Sequence, residues 1–323
     1  MKPLPTEISG LPAAGAQPHW RFHLAPSVIW AAVGAVFLTF QAWVIGRWLA
    51  DGEVSSISPP RHGISPAQET VFWICQTVVV LAVILCGWWI IRDARRKRQI
   101  TIHAALFLGY GTAQWMDPIM NYAHWGFANN NATLNVVSWG PYLPGWSGPD
   151  RMPQPLTYAT GLFFPLLILW IWPSLALATK LTVLRPQWGW PKLAAALLLP
   201  VMAIDVIAET LLIRTGSYAY VGASPEFSLF GGHWYQLPFA EVVLLPVAFV
   251  VPTVLLIVTA RNRGHEIVLF AGTEQMKGAS RVWVRLLSGM GFVHTTILLW
   301  MVCIAFFLRH APIPPDTPTF LRL

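Results

Sequence analysis

The composition of the chain describes a membrane protein. Apolar residues fill 55% of the 323 positions and charged residues only 11%, whereas soluble globular domains average about 45–50% apolar and about 25% charged residues. The formal net charge of +7 is accounted for by membrane topology and anionic lipid headgroups, so no nucleic-acid partner is predicted. The three cysteines, Cys75, Cys86 and Cys303, lie inside apolar segments. They form neither a disulfide framework nor a CxxC metal motif, and we predict a packing role for them.

Several apolar segments are long enough to cross a bilayer, which requires about 20 mainly apolar residues. In chain order they cover residues 27–49, 71–91, 100–125, 157–178, 191–213, 238–260 and 284–308. The first is too long for a secretory signal and no cleavage site follows it, so we predict a true helix there. The predicted fold class is all-α: a polytopic membrane protein with a bundle of about seven transmembrane helices. A single domain, 26–309, is predicted between an N-terminal tail, 1–25, and a C-terminal tail, 310–323.

The distribution of basic residues indicates the orientation. With the N-terminus in the cytoplasm, fifteen of the 21 Lys and Arg residues lie on the inner side: Lys2, Arg21, Arg92, Arg95, Arg96, Lys97, Arg98, Lys180, Arg185, Lys192, Arg261, Arg263, Lys277, Arg281 and Arg285. This asymmetry follows the positive-inside rule. We therefore predict an integral protein of a bacterial cytoplasmic membrane, with its N-terminus inside and its C-terminus outside.

Two local sequence signals predict helix geometry. Ser65, Pro66 and Gln68 stand where a helix N-cap, a proline at the first helical position and a capping-box partner are expected. Pro118 directly follows Asp117 inside the third segment. Because proline removes a helix hydrogen bond and clashes with the preceding turn, a kink is predicted beside this carboxylate.

The third apolar segment carries a polar stripe at a spacing of three, four and seven residues. Its members are His103, Tyr110, Gln114, Asp117, Asn121 and His124. At 100° per residue these positions share one helical face. Such groups are costly in lipid, so they must face protein or water and by default mark a functional site. His103, at the inner interface, is predicted to be structural.

Four acidic residues lie within the predicted spans: Asp117, Asp205, Glu209 and Glu241. Asp205 and Glu209 are four positions apart and share a face of the fifth segment. The candidate cations at membrane depth are Arg214 and His294, which are too few to neutralise the acids pairwise. Some carboxyl groups are therefore expected to be protonated at neutral pH, and a protonated acid beside an ionised one suits general acid–base chemistry.

Each of these acids also has a structural interpretation. Glu241 stands three residues after Pro238, at a predicted helix start, where a carboxylate interacts favourably with the helix N-terminus. Asp205 and Glu209 can instead form hydrogen bonds that hold neighbouring helices together. The grouping of Asp117 with Asn121 and His124 is harder to explain by packing alone.

Two predicted outer loops, 126–156 and 215–237, are long and rich in aromatic residues. Loops of this length are usually lids, binding loops or disordered segments, and their aromatic content argues against disorder. We expect them to fold over the outer mouth of the bundle. Trp139, His233 and Trp234 are candidates for substrate contact there, and loop packing is the alternative for the latter two.

No metal site and no cofactor are predicted. The chain contains no Walker A, GxGxxG or GxSxG motif, which disfavours ATP-driven transport and standard hydrolase chemistry. His19 and His23 form one HxxxH spacing in the N-terminal tail. A second histidine box is missing, and we interpret the pair as incidental.

Several local stretches resemble the AveC-like spirocyclase family, membrane enzymes that form spiroketals in avermectin-type polyketide biosynthesis. They are the run Gln114, Trp115, Met116, Asp117, Pro118 with Asn121 and Tyr122, the Asn-rich outer loop, and the run Gly232, His233, Trp234, Tyr235, Gln236, Leu237, Pro238 that leads to Glu241. The resemblance covers nearly the whole chain. It implies a lipophilic small-molecule substrate, contact with membrane lipids and acid–base cyclisation, and it says nothing of protein partners.

Spiroketal formation needs an acid that protonates a departing hydroxyl of the substrate and a base that accepts the proton of the attacking hydroxyl. Asp117 is the hypothetical acid that protonates the departing hydroxyl, and the pair Asp205 and Glu209 is the base and electrostatic stabiliser. The predicted substrate-binding residues are Tyr110, Gln114, Trp115, Asn121, Tyr122, His124, Trp139, His233, Trp234, Glu241 and His294. Aromatic faces among them would shield a cationic intermediate.

Three other functions remain open at this level. A membrane terpene cyclase would also start a cationic cyclisation with a carboxylic acid. A proton-coupled transporter or lipid-binding receptor would use the same acids to relay protons or bind a cation. A structural subunit of a membrane complex is the third alternative, and it seldom needs so many buried acids.

Overall fold

The computed structural model describes residues 25–57, 63–157, 163–308 and 311–323. The predictions for residues 1–24, including the pair His19 and His23, lie outside this part of the chain. The helices are α1 (Pro26–Ala50), α2 (Pro66–Lys97), α3 (Ile102–Ala113), α4 (Trp172–Leu184), α5 (Trp190–Arg214), α6 (Phe239–Leu245), α7 (Val251–Arg263) and α8 (Gly278–Phe307). A π-helical turn, Leu167–Ile171, precedes α4, and another, Pro246–Val250, joins α6 to α7.

Within the described residues, six helices are long and apolar enough to cross a membrane. They are Pro26–Ala50, Pro66–Lys97, Leu167–Leu184, Trp190–Arg214, Phe239–Arg263 and Gly278–Phe307. The π-helical turns are therefore parts of two of these continuous helices. The predicted fold class, an all-α polytopic membrane protein, is confirmed.

The third predicted segment differs from the expected uniform helix. It is α3 followed by a 3₁₀-helix, Gln114–Asn121, that contains Pro118. Since the 3₁₀-helix has about 3.0 residues per turn, side chains in it advance by about 120° per residue. The single face predicted for the polar stripe is therefore wrong beyond residue 113. Asp117 and Asn121 point in different directions, and each has its own partners.

The third segment nevertheless connects the two ends of the bundle. At the standard rises of the two helix types, α3 and Gln114–Asn121 together extend about 34 Å, which matches the hydrocarbon core of a bilayer. Before its first turn, the Ile100 carbonyl accepts a hydrogen bond from Arg285 Nε, at the start of α8. Just after its last turn, His124 Nε2 lies 2.8 Å from the Leu308 carbonyl, at the end of α8. The segment thus runs the length of α8 beside it.

The predicted start of α2 is confirmed in detail. Gln68 N donates to Ser65 Oγ at 3.3 Å, and Ser65 N donates to Gln68 Oε1 at 2.9 Å. Pro66 occupies the first helical position. The reciprocal bonds satisfy two amide donors that a helix start would otherwise leave without partners.

Helix α8 is the central helix, and glycine lets its neighbours approach closely. A Cβ added at Gly34 of α1 would meet Leu287 O at 2.1 Å, and one at Gly289 would meet Ala105 Cβ at 2.4 Å. Small residues at helix crossings give the backbone contact by which membrane helices associate. Helices α1 and α3 are thereby held against α8.

The loops at one end of the bundle form a layer of three antiparallel ribbons. Strand β1 (Ala128–Asn129) pairs with β4 (Tyr218–Ala219), β2 (Asn135–Val137) with β3 (Pro153–Pro155), and β5 (Ser228–Leu229) with β6 (Leu237–Pro238). The β1–β4 ribbon joins the two aromatic loops to each other. We call this the loop end, and the opposite end, which carries the basic C-terminus of α2, the basic end.

The C-terminal residues belong to the loop end. Asn131 N donates to the Phe320 carbonyl at 2.9 Å, and the Phe320 ring packs edge-on against Phe72 of α2. Phe320 is buried. Residues 311–323 therefore cover the ribbon layer and tie it to α2.

Candidate active site

Three carboxyl groups converge inside the bundle. Asp205 and Glu209 lie on one face of α5, and Glu241 comes from the first turn of α6. One oxygen of each lies within 4.8 Å of the other two, and their exposed fractions are 0%, 4% and 0%. We call these three residues the carboxyl cluster. Asp205 and Glu209 share a face because residues four apart on an α-helix are neighbours.

Two tyrosines from the aromatic loop hold Glu209. The Tyr218 hydroxyl donates to Glu209 Oε1 at 2.8 Å, and the Tyr220 hydroxyl donates to Oε2 at 3.0 Å. Burial and the adjacent Glu209 carboxylate both raise the pKa of the Tyr218 and Tyr220 phenols well above the ordinary value. The phenols therefore stay protonated, and they can donate to the carboxylate at any physiological pH.

Two tryptophans hold the other carboxyl groups. Trp170 Nε1 donates to Asp205 Oδ1 at 2.9 Å, and Trp300 Nε1 donates to Glu241 Oε2 at 3.0 Å. The remaining oxygens, Asp205 Oδ2 and Glu241 Oε1, are buried and make no hydrogen bond within the described residues. Asp205 and Glu241 thus each have one oxygen held by an indole and one that is available to exchange a proton or to bind a further group.

A cavity of about 80 Å³ adjoins the carboxyl cluster. Its lining includes Glu209, Tyr218, Tyr220, Trp170, Trp300 and Phe127. It also includes Leu169, which is 41% exposed on the surface of the bundle. The cavity therefore extends from the carboxyl cluster toward the surface that would face lipid, and most of its wall is aromatic or aliphatic.

The carboxyl cluster also has the composition of a cation site. Carboxylate oxygens are the ligands preferred by hard cations such as Mg²⁺ and Ca²⁺, and the cluster offers one oxygen from each of three buried residues. The sequence, which predicts no metal site, places Asp205 and Glu209 together but does not bring in Glu241. The same geometry serves proton sharing, since like charges this close repel strongly in a low-dielectric interior.

Asp117 belongs to a separate polar network between the third segment and the ribbon layer. Its Oδ2 accepts hydrogen bonds from Asn129 Nδ2 at 3.1 Å and from Gln154 Nε2 at 2.7 Å. It is buried, and it is not a member of the carboxyl cluster. Asn129 pairs with Tyr218 across the β1–β4 ribbon, and the Tyr218 hydroxyl bonds Glu209. Asp117 is therefore linked to the carboxyl cluster through Asn129 and Tyr218.

Asn121 shapes the turn that follows the 3₁₀-helix. Its Oδ1 accepts hydrogen bonds from Gly126 N and Phe127 N, each at 2.9 Å, and its Nδ2 donates to the Phe127 carbonyl at 2.8 Å. These bonds place Phe127 against the rings of Tyr218 and Tyr220. The side-chain amide of Asn121 is engaged with the backbone, and it affects the cavity by fixing Phe127.

Four further predicted residues lie along the third segment and its contacts. Tyr110 is fully buried against Phe249, and Gln114 is partly buried at the end of α3. Trp139 Nε1 donates to the Trp115 carbonyl at 2.7 Å, which anchors the loop to the 3₁₀-helix. Trp115 lines a second, larger cavity of about 540 Å³ between α1, the third segment and α8.

Tyr122 lines the same larger cavity, at its loop-end edge. Its hydroxyl donates to the Pro144 carbonyl at 2.5 Å. Trp115 and Tyr122, predicted as substrate contacts, are thus close to each other and lie outside the lining of the cavity beside the carboxyl cluster.

The two predicted bundle histidines have backbone partners. His124 Nε2 lies 2.8 Å from the Leu308 carbonyl, and His294 Nδ1 lies 2.8 Å from the Met290 carbonyl one turn earlier on α8. The His294 ring also packs against Phe37 of α1. Neither histidine lines the cavity beside the carboxyl cluster.

His233 and Trp234 lie on the ribbon layer. His233 Nδ1 is 3.0 Å from Asp316 Oδ2, and Trp234 N donates to Asp316 Oδ1 at 3.0 Å. These contacts join the second aromatic loop to the C-terminal residues. Because both partners are partly exposed, we find a structural tether here, remote from the buried carboxyl groups.

Sequence reasoning missed the aromatic donors of the site. Trp170, Trp300, Tyr218 and Tyr220 were not among the predicted site residues. One usable signal exists: Tyr218 and Tyr220 alternate along an extended stretch only nine and eleven residues after Glu209, so both can return to the helix that bears it. No comparable local signal distinguishes Trp170 and Trp300 from the other 16 of the 18 tryptophans.

Comparison with known proteins places the chain in a family. A protein-family model described as spirocyclase AveC-like matches residues 97–315 of the 323, which is more than half of the chain. No curated protein and no solved structure matches. The matched range contains Asp117, the whole carboxyl cluster and its four aromatic donors.

Proposed function

The chain belongs to the AveC-like spirocyclase family, and on that premise we propose that it closes spiroketals on a lipophilic, polyketide-like dihydroxyketone by acid–base catalysis at the carboxyl cluster. One observation carries the proposal. Asp205, Glu209 and Glu241 converge beside an aromatic-walled cavity within a membrane bundle. This combination supplies proton donors and acceptors, a shield for a cation and access for an apolar substrate.

The reaction requires two proton transfers. In the hemiketal form of the substrate, an acid protonates the ketal-carbon hydroxyl, the C–O bond breaks and water leaves, which produces an oxocarbenium ion. A second hydroxyl of the same substrate then attacks that carbon. The new C–O bond closes the second ring, and a base accepts the proton of the attacking hydroxyl. The catalyst ends in its starting protonation state, and the net change is loss of one water.

We assign the contact with substrate to Glu209, because it is the carboxyl of the cluster that lines the cavity. Tyr218 and Tyr220 line it too, and their hydroxyls donate to different Glu209 oxygens. Protons can therefore pass between substrate and Glu209 directly or through a phenol. Asp205 and Glu241 would share protons with Glu209, since three carboxylates at this distance would repel strongly if all were ionised.

The cavity wall suits a cationic intermediate. Trp170 and Trp300 line it together with Phe127 and the two tyrosines, and the faces of such rings attract positive charge. Exclusion of bulk water by the apolar wall would favour attack by the internal hydroxyl over hydrolysis of the cation. The indole N–H groups, engaged with Asp205 and Glu241, hold these rings in place.

A lipophilic substrate would reach the buried carboxyl cluster from the bilayer. A cavity of about 80 Å³ is smaller than the roughly 300–1,000 Å³ of typical ligand pockets. We propose that the reacting carbons occupy it while the rest of the substrate extends past the exposed Leu169 into lipid, with local widening of the cavity. Leu169 belongs to the π-helical turn Leu167–Ile171, and such turns recur at functional sites.

For Asp117 we propose a positioning role in place of the acid role hypothesised from the sequence. It accepts two amide hydrogen bonds, from Asn129 and Gln154, and it lies outside the carboxyl cluster. Asn129 pairs with Tyr218. Asp117 would therefore act on catalysis through the placement of the Tyr218 hydroxyl.

The proposal is tested by the mass of the metabolites. Lipophilic extracts are compared from cells with the gene, without it, with Glu209→Gln, and with Glu226→Gln, an exposed loop acid that serves as the matched control. We expect a precursor heavier than the wild-type product by one water to accumulate in the deletion strain and with Glu209→Gln, but not with Glu226→Gln.

Other outcomes would identify the alternatives. A precursor and product of equal mass would indicate an isomerising cyclase of the terpene type. A metabolite that is unchanged in structure but redistributed across the membrane would indicate a transporter. Wild-type product formation by Glu209→Gln would refute the assigned role of Glu209.

A further inference from the structure

An apolar groove opens at the basic end of the bundle, remote from the carboxyl cluster. It has a volume of about 410 Å³ and lies between the last turns of α2, the first turns of α3 and the start of α8. Its walls include Phe107, Leu108 and Val282, and its rim includes Arg95 and Arg98. Leu108 and Val282 are 38% and 41% exposed. The groove thus combines an open hydrocarbon wall with two guanidinium groups.

The nearby acid is already paired with other cations. Asp93 contacts Lys97 at 2.9 Å and Arg96 at 3.8 Å. Arg95 and Arg98, both exposed, make no ion pair with any acid in the described ranges 25–57, 63–157, 163–308 and 311–323. The two guanidinium groups on the groove rim are therefore available to an external anion.

Helix α2 contacts the bundle weakly along this half of its length. Cys86 and Ile90 are its buried residues in the half that ends at Lys97, and large side chains such as Leu85 and Trp88 are exposed. Space between α2 and α8 at this depth must be filled by lipid if it is not filled by protein. An acyl chain in this space would keep about as much hydrocarbon contact as it has in the bilayer. Its headgroup would in addition be held at a fixed position.

We infer that this groove is a binding site for an anionic phospholipid, with the phosphodiester at Arg95 and Arg98 and an acyl chain along Phe107, Leu108 and Val282. Each guanidinium matches a phosphate oxygen pair geometrically and electrostatically. Net charge selects among phospholipids, because the ammonium group of a zwitterionic headgroup is repelled by the two guanidinium groups and an anionic headgroup has no such cation. Basic pockets between membrane helices recognise anionic headgroups, and each Lys or Arg near the surface contributes favourably. The bound lipid braces α2 against α3 and α8.

The experiment compares lipid binding by the full-length protein purified in detergent. Native mass spectrometry measures retained phosphatidylglycerol and phosphatidylcholine of the same acyl length, and thermal melting measures the stabilisation by each. We expect wild-type protein to prefer phosphatidylglycerol by about tenfold or more, from two guanidinium contacts. The double variant Arg95→Ala, Arg98→Ala should lose this preference while its melting temperature without added lipid stays near that of the wild type.

A matched control removes the same charge elsewhere. Arg92 lies on the same helix with its guanidinium over the Trp88 ring, and Arg263 is exposed at the end of α7; neither lines the groove. The double variant Arg92→Ala, Arg263→Ala should keep the preference. Leu108→Trp, which fills the groove, should reduce retention of both lipids.

Two results would overturn the inference. Equal loss of preference in the Arg92→Ala, Arg263→Ala control would mean that the attraction is a diffuse property of the basic surface. Equal retention of the two lipids by wild-type protein would mean that the rim does not select anions. Both results are independent of whether the carboxyl cluster forms spiroketals.

Discussion

The Tyr218 hydroxyl donates a 2.8 Å hydrogen bond to Glu209 Oε1, and this contact joins the loop layer to the interior of the bundle. Tyr218 belongs to β4, whose partner strand β1 comes from the other aromatic loop. The placement of one phenol therefore depends on both loops. This dependence explains how a site with carboxyl groups on two helices can be positioned by residues outside the membrane spans.

The tyrosine donors should be required for turnover. Replacing Tyr218 and Tyr220 together by Phe keeps the rings in the cavity wall but removes both hydroxyl donors to Glu209. Because a hydrogen bond to a charged group is worth about 1.5–3 kcal/mol, we expect the rate to fall by at least about tenfold. Steady-state kinetics on the isolated precursor measure this. A change in KM alone, with kcat unaltered, would contradict a role in proton transfer.

The same tyrosines predict a feature of the alkaline titration. Their pKa is raised above the ordinary value by burial and by the adjacent Glu209, whereas in the unfolded chain a tyrosine ionises near about pH 10. The folded protein holds these protons more tightly, so their contribution to stability is present below about pH 10 and is lost as pH rises toward the folded pKa. Tyrosinate absorbance should show Tyr218 and Tyr220 among the groups that resist ionisation in the wild type.

That titration has an internal comparison. In Tyr218→Phe, Tyr220→Phe the resistant fraction should fall by two groups, while the fully buried Tyr110 and the tyrosines that ionise early remain. A full complement of seven tyrosines ionising together in the wild type would contradict the buried environment of these two.

The tryptophan donors should stabilise the fold. Trp300→Phe leaves Glu241 Oε2 without its indole partner, so a buried acceptor loses its bond. We expect a loss of about 1–3 kcal/mol in unfolding free energy, measured by thermal or denaturant unfolding in detergent. Trp283→Phe, at a site that is 61% exposed, is the control and should unfold as the wild type does.

Asn121 should be a stability residue. Its Oδ1 accepts two backbone hydrogen bonds and its Nδ2 donates one to the Phe127 carbonyl. Asn121→Ala removes all three, and we expect a loss of about 2–4 kcal/mol because buried backbone groups are left unsatisfied. Asn121→Asp keeps the acceptor oxygen and should unfold between the alanine variant and the wild type. An alanine variant as stable as the wild type would contradict this role.

Asp117 should behave differently from Glu209. Asp117→Ala removes the acceptor for Asn129 and Gln154, so we expect melting temperature and rate to fall together, with partial activity retained at low temperature. Glu209→Gln should lose activity by about 10²–10⁴-fold, the range of general acid–base contributions, with a much smaller effect on unfolding. A folded Asp117→Ala variant as inactive as Glu209→Gln would restore the catalytic role to Asp117.

Removal of metal ions separates proton sharing from cation binding at the carboxyl cluster. Under the proposed acid–base chemistry, exhaustive chelation should leave turnover unchanged. Loss of activity that Mg²⁺ or Mn²⁺ restores would make Asp205, Glu209 and Glu241 metal ligands, a role their oxygen donor set permits. A chelator-treated Glu209→Gln variant provides the background rate.

Much of the architecture follows from the sequence because its signals are local. The apolar lengths predict the spanning helices, and Ser65 with Gln68 predicts the start of α2, since both depend on residues within a few positions of each other. The pairing of Asp205 with Glu209 likewise needs only helical spacing. The prediction of one polar face for the third segment is wrong for a local reason too. Around Pro118 the chain forms a 3₁₀-helix, so the polar side chains no longer share a single face.

Only the tertiary structure decides which acids form the site. Glu241 is 32 positions beyond Glu209 and Asp117 is 88 positions before Asp205, and nothing in helical periodicity says that the first pair meets and the second does not. The β1–β4 ribbon brings Tyr218 to Glu209, and helix packing brings Trp300 to Glu241. Hydrophobic length and helical period are properties of short segments, whereas the convergence of buried carboxyl groups depends on how helices and loops pack, which no single segment specifies.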